Sequence, residues 1–129
     1  MLMSLSQNRK FYFYLLCSIF WFIIIVYLMI FYKFNSNYNI ITFPYSDKII
    51  HFILFFVQSM FITKTYIARN FKSDKLMPKI IFYFLIFCFS VELIQIYLPY
   101  RSFELLDLTS NLIGSLSGAF FVFFLESKI

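Results

Sequence analysis

Three short runs hold the residues best suited to chemistry: Asp47-Lys48-x-x-His51, Glu92-x-x-Gln95-x-x-x-Pro99-x-Arg101, and Asp107-x-x-x-Asn111. Asp47 and His51 are one helical turn apart, the spacing at which a carboxylate orients an imidazole to act as a general base. A histidine at a helix end that only hydrogen-bonds near the interface is the plainer reading of the same residue. Glu92 is the natural group to exchange protons with His51, so these two are the catalytic candidates. Arg101 offers a two-pronged grip on phosphate or carboxylate, with pairing to Glu104 or Asp107 as its structural alternative. One histidine with Asp47, Glu92 and Asp107 also has the donor types of a divalent-metal site. No strict ligand motif accompanies them, and the sequence names neither a metal nor a cofactor.

The elements that must position these residues are written in the composition. The 129 residues are 62% hydrophobic, with 21 Phe and 10 Tyr, and only 13% are charged, about half the share usual in soluble domains. Crossing a bilayer takes about 20 apolar residues, and four such segments fit: about 11–32, 47–68, 78–98 and 107–125. Within lipid every backbone group must be satisfied inside its own segment, which selects helix over strand. The expectation is a single domain over residues 1–129, an all-α four-transmembrane-helix bundle.

Local signals set the expected ends. Ser46 and Asp47 have oxygens suited to cap the second helix, Pro78 fits the first turn of the third, and Pro99 closes it. The first segment follows Arg9 and Lys10 and runs too long for a signal peptide, so it is expected to stay as an anchor. Cys17 and Cys88 lie inside apolar segments, where a thiol behaves as a small hydrophobe.

Charge gives orientation. Arg9, Lys10, Lys64, Arg69, Lys72, Lys75, Lys79 and Lys128 fall on one side of the membrane, and Lys33, Lys48 and Arg101 on the other. The positive-inside rule then places both termini in the cytoplasm of a multi-pass membrane protein. The net charge of +5 sits beside apolar blocks and not in an aromatic-interleaved patch, so no nucleic-acid partner is expected.

On this topology Asp47, Lys48, His51, Glu92, Gln95, Arg101, Asp107 and Asn111 collect toward the outer end of helices two, three and four. Asp47, His51 and Gln58 share a stripe on helix two. Glu92 lies about 9 Å inside the end of helix three, where an ionised carboxylate costs roughly 3 kcal/mol. It therefore needs a partner such as Arg101, His51 or Lys48, or it stays protonated. Ser110, Gly114 and Gly118 form a small-xxx-small row expected to let helix four pack closely.

In order and spacing these three runs resemble the VanZ-like family of small bacterial membrane proteins, with Gly114 and Gly118 continuing the third run. The similarity covers most of the chain; Tyr100 stands where many relatives have a small residue, and the first segment carries no motif. The resemblance implies a cell-envelope protein of the bacterial cytoplasmic membrane associated with tolerance of the glycopeptide teicoplanin. The expected function is engagement of membrane lipid, a lipid-linked cell-wall precursor or another anionic head group at an outward-facing site. Two alternatives stand beside it: a membrane enzyme modifying such a molecule by acid–base chemistry, and a helix bundle that only supports other membrane proteins.

Overall fold

The computed structural model describes residues 5–31, 45–69 and 73–127, which form four long helices. Helix α1 covers Leu5–Val26 and runs on into a π-helical turn, Tyr27–Phe31. Helix α2 covers Ser46–Ala68, α3 Ser73–Ile96 and α4 Leu105–Glu126. All four are long and apolar enough to cross a membrane. Their outward faces suit lipid: Phe20, Phe82 and Phe120 are 65%, 66% and 60% exposed, which water would penalise and hydrocarbon would not. The chain is a membrane protein built as a four-helix bundle.

Two expected helix starts move. Helix α1 starts at Leu5 and not near Phe11, and α3 at Ser73 and not at Pro78, so Pro78 sits in its second turn. Hydropathy locates the stretch that crosses hydrocarbon, whereas a helix continues past it wherever its backbone bonds can still form. Arg9, Lys10 and Lys75 therefore belong to helices, not to connections. At its far end α3 stops at Ile96, because Pro99 disfavours helical geometry in Leu98, and turns closed by Leu98 N–H to Gln95 O and Arg101 N–H to Leu98 O follow.

The expected cap of α2 is also replaced. Its N-cap is Tyr45, at φ 69° in the left-handed region, and no side chain caps the helix. Ser46 and Asp47 lie inside the first turn, and the Asp47 carboxylate accepts from Lys48 instead. The segment of 33–44, with Lys33 and Pro44, and residues Lys72 and Lys128 lie outside the described residues.

Packing is centred on α2, which lies most extensively against α4 and next against α1, while α3 leans mainly on α4. A Cβ on Gly114 would strike the carbonyl oxygen of Phe52, and one on Gly118 that of Phe56. Only hydrogen at these positions lets the two backbones approach so closely. Ser110, the third member of the row, is half-buried. Helix α1 is tied to α2 by Trp21 Nε1–H donating to Leu54 O at 2.9 Å and by Gln58 Nε2–H donating to Ser18 Oγ at 3.1 Å. Aromatic rings join three helices around Phe87, which meets Phe22 and Phe55 at centroid separations of 5.3 and 5.2 Å.

The helices alternate in direction. The beginnings of α1 and the ends of α2 and α4 gather at one end, where Gln7, Lys10, Lys64 and Glu126 line a common cleft and Lys64 pairs with Glu126. At the opposite end lie the π-turn of α1, the start of α2, the end of α3 and the start of α4.

Candidate functional site

That opposite end gathers four of the six acidic residues, Asp47, Glu92, Glu104 and Asp107. Lys48, in the first turn of α2, places its ammonium among three carboxylates: Asp47 at 2.6 Å, Asp107 at 2.7 Å, and Glu104. Asp47 precedes it on the same helix, whereas Glu104 and Asp107 come from the start of α4. The lysine thus fastens α2 to α4. Its side chain is 14% exposed and that of Asp107 7%, while Asp47 and Glu104 are each 46% exposed and open the cluster to the surface.

One turn further into the bundle, His51, Asn111 and Glu92 form a hydrogen-bonded row across α2, α4 and α3. His51 Nδ1 lies 2.9 Å from Asn111 Oδ1, and Asn111 Nδ2–H donates to Glu92 Oε1 at 3.1 Å. All three are fully buried, at 2% exposure or less. The row has a direction. Asn111 turns its amide nitrogen to Glu92 and its oxygen to His51. His51 Nδ1 must then be the donor, which leaves the lone pair of the neutral imidazole on Nε2.

The Nε2 atom faces Asp107 Oδ2 at 3.8 Å, beyond hydrogen-bond range, while Nδ1 stands 4.0 Å from Glu92 Oε1. The carboxylates around His51 are therefore Asp107 and Glu92, drawn from other helices. Asp47, the partner expected from sequence, is engaged by Lys48. The second Glu92 oxygen, Oε2, is buried with no hydrogen-bond partner among the described residues.

Two expected site residues have structural work at the edge of this cluster. Gln95 Nε2–H donates to Met29 O at 3.1 Å, and Arg101 Nη2–H to Leu28 O at 3.3 Å. Tyr100 joins them, its hydroxyl donating to Ile30 O at 2.7 Å. All three acceptors belong to or adjoin the chain around the π-turn, where the wider winding changes which carbonyls the helix itself can satisfy. Helix α1 thus contributes to the site through backbone, and a stretch acting through its carbonyls leaves no sequence motif.

Of the eight residues singled out from sequence, six meet directly around Lys48 and His51, and Gln95 and Arg101 reach α1. Glu104 is the member of the cluster that the sequence pattern left out of the site. Its signal was its place three residues before Asp107, which puts both carboxylates on the same side of the start of α4.

In chemical terms the cluster holds a buried histidine with a directed tautomer, a buried carboxylate that is half-satisfied, and a strong excess of acid over base. Two groups have metal-ligand donors within 4.8 Å of one another: His51, Glu92 and Asp107, all buried, and Asp47, Glu104 and Asp107 nearer the surface. A cleft of about 320 Å³ lined by Phe11, Ser18, Tyr66, Arg69 and Tyr83 lies elsewhere, towards the other end of the bundle. The chain matches no family model, no curated protein and no solved structure.

Proposed function

We propose that this chain is a VanZ-like protein of the bacterial cytoplasmic membrane whose polar cluster engages the anionic head group of a lipid-linked or cell-surface molecule. Lys and Arg residues are frequent at the end carrying Lys64 and Arg69, and the positive-inside rule makes that end cytoplasmic. Both termini are then inside and the cluster faces out, at the outer leaflet. Contribution to teicoplanin tolerance is the phenotype that the resemblance to VanZ-like proteins suggests.

The observation that carries the reading is the row His51–Asn111–Glu92. Ionisable groups at such depth are expensive and usually mark a substrate or proton route. Here the row does something packing alone does not require: it fixes which imidazole nitrogen bears the lone pair. His51 Nε2 would take a proton from a head-group hydroxyl or water, and Glu92 would stabilise the imidazolium through Asn111. An anionic group would approach from the side of Arg101. This is the enzymatic form of the proposal, with His51 and Glu92 as its acid–base pair.

A structural reading is favoured by one observation of its own, the grip of Lys48 on three carboxylates from α2 and α4. That part of the cluster serves stability. The two are separated by deleting the gene and complementing with wild type, Glu92→Gln or His51→Gln at matched protein abundance, then measuring teicoplanin sensitivity and envelope lipid composition. Wild type restores both and the two variants do not. Restoration by both variants, or no change on deletion, refutes the proposal.

A further inference from the structure

A site expected to meet an anion is here crowded with anions. Among the described residues Asp47, Glu92, Glu104 and Asp107 bring four carboxylates to one end of the bundle, and the cations beside them are Lys48 and Arg101. Even with both cations counted, acid exceeds base by two charges among the described residues if every carboxylate is ionised. Two of the four, Glu92 and Asp107, are buried. Buried charges persist when they are paired or when they coordinate a metal ion.

We propose that His51, Glu92 and Asp107 bind a divalent cation of the zinc or manganese class. Each residue offers a donor atom, and the three atoms lie within 4.8 Å of one another. Three helices supply them: α2, α3 and α4. Ligands about 2.1 Å from a tetrahedral zinc stand about 3.4 Å apart, and His51 Nε2 and Asp107 Oδ2 are separated by 3.8 Å. A cation between them needs the pair to close by only a few tenths of an ångström. Glu92 supplies the independent sign of a missing partner, since its Oε2 is buried without a hydrogen bond among the described residues.

The surroundings of the three ligands are those a metal site requires. A metal-binding imidazole usually donates its other N–H to a fixed acceptor, which sets the tautomer and aims the lone pair. His51 Nδ1 has that acceptor in Asn111 Oδ1 at 2.9 Å. Ligating carboxylates are held in turn by hydrogen bonds; Lys48 holds Asp107 by Oδ1, at 2.7 Å, and leaves Oδ2 turned to His51. Asn111 likewise holds Glu92 by Oε1 and leaves Oε2 free to ligate. Three protein ligands leave a coordination position open, the arrangement of a catalytic zinc. A phosphate-bearing head group would fill it, and the cation would offset the acid excess that otherwise repels such a ligand.

The proposal rests on the head-group-binding form of the functional reading and replaces its acid–base form, since an Nε2 lone pair given to a cation cannot also take a proton; its test involves no lipid ligand. The full chain, purified in nanodiscs of neutral lipid with its affinity tag removed and stripped with a chelator, is titrated with Zn2+ and with Mn2+. One ion per chain is expected from one or both metals, with a rise in unfolding temperature. His51 is the single histidine of the chain, so 14N hyperfine coupling on bound Mn2+, read by pulsed electron paramagnetic resonance, would identify its imidazole with no substitution. Glu92→Gln and Asp107→Asn should each weaken binding at least tenfold, while Lys64→Gln at the other end of the bundle leaves it unchanged. Failure of wild type to bind either metal stoichiometrically, or bound Mn2+ without nitrogen coupling, overturns the cation site. Teicoplanin sensitivity and lipid changes then decide the functional reading on their own.

Discussion

Replacing Gly114 with alanine should damage the fold and the candidate site together. The added Cβ would overlap the carbonyl oxygen of Phe52, a backbone atom in mid-helix that no rotamer change can clear. Restoring ordinary contact requires α2 and α4 to part locally by about 1 Å, and a close-packed interface resists that. Overpacking of this kind costs about 1–3 kcal/mol. Gly114 lies three residues beyond Asn111, and Phe52 adjoins His51, so the same displacement acts on the 2.9 Å contact between His51 and Asn111. Stretched by about 1 Å, that contact is no longer a hydrogen bond, and its loss adds about 1 kcal/mol. The expected total is about 2–4 kcal/mol. Gly118→Ala meets the carbonyl of Phe56 one turn deeper and should cost about 1–3 kcal/mol without disturbing His51. Denaturing-detergent titration followed by circular dichroism measures both free energies, and 15N resonances of the imidazole report the Nδ1 contact. Gly114→Ala within about 0.5 kcal/mol of wild type, or an unchanged imidazole spectrum, would show that the close helix approach does not set the site.

Three further substitutions separate the roles of other groups. Lys48→Met leaves the buried Asp107 without its ammonium and should destabilise the bundle by about 3 kcal/mol; adding Asp107→Asn should recover part of this, and a double variant as unstable as the sum of the singles would rule the pair out. Gln95→Leu removes the donor to Met29 O and should cost about 1–3 kcal/mol, seen as faster amide exchange around Tyr27–Phe31; unaltered exchange would refute the tie between α3 and the π-turn. Lys64→Gln breaks a pair whose side chains are 23% and 34% exposed, so its cost in the same titration should stay below about 1 kcal/mol.

Much of the architecture is legible in composition and order. Four apolar blocks of sufficient length require four helices, because a backbone in hydrocarbon has no other partner than itself. The spacing Asp107-x-x-x-Asn111 and the pair Asp47 and His51 place polar groups on single helix faces by the 3.6-residue period alone. Helix ends are less legible: apolarity records where lipid begins and ends, and α1 and α3 continue beyond it with Arg9, Lys10 and Lys75 in helical turns.

What sequence could not decide is which group answers which. Asp47 looks like the partner of His51 from spacing along α2, yet Lys48 holds it, and Glu92 and Asp107 take its place from helices whose rotation no local pattern records. Glu104 enters the cluster only because α4 packs against α2 at the depth Gly114 and Gly118 permit. The part played by α1 is hidden for a different reason, since it acts through the carbonyls of Leu28, Met29 and Ile30, which every residue type carries. Periodicity along one helix fixes which side chains share a face; which faces meet, and at what register, is set by packing between helices, and that exists only in the assembled bundle.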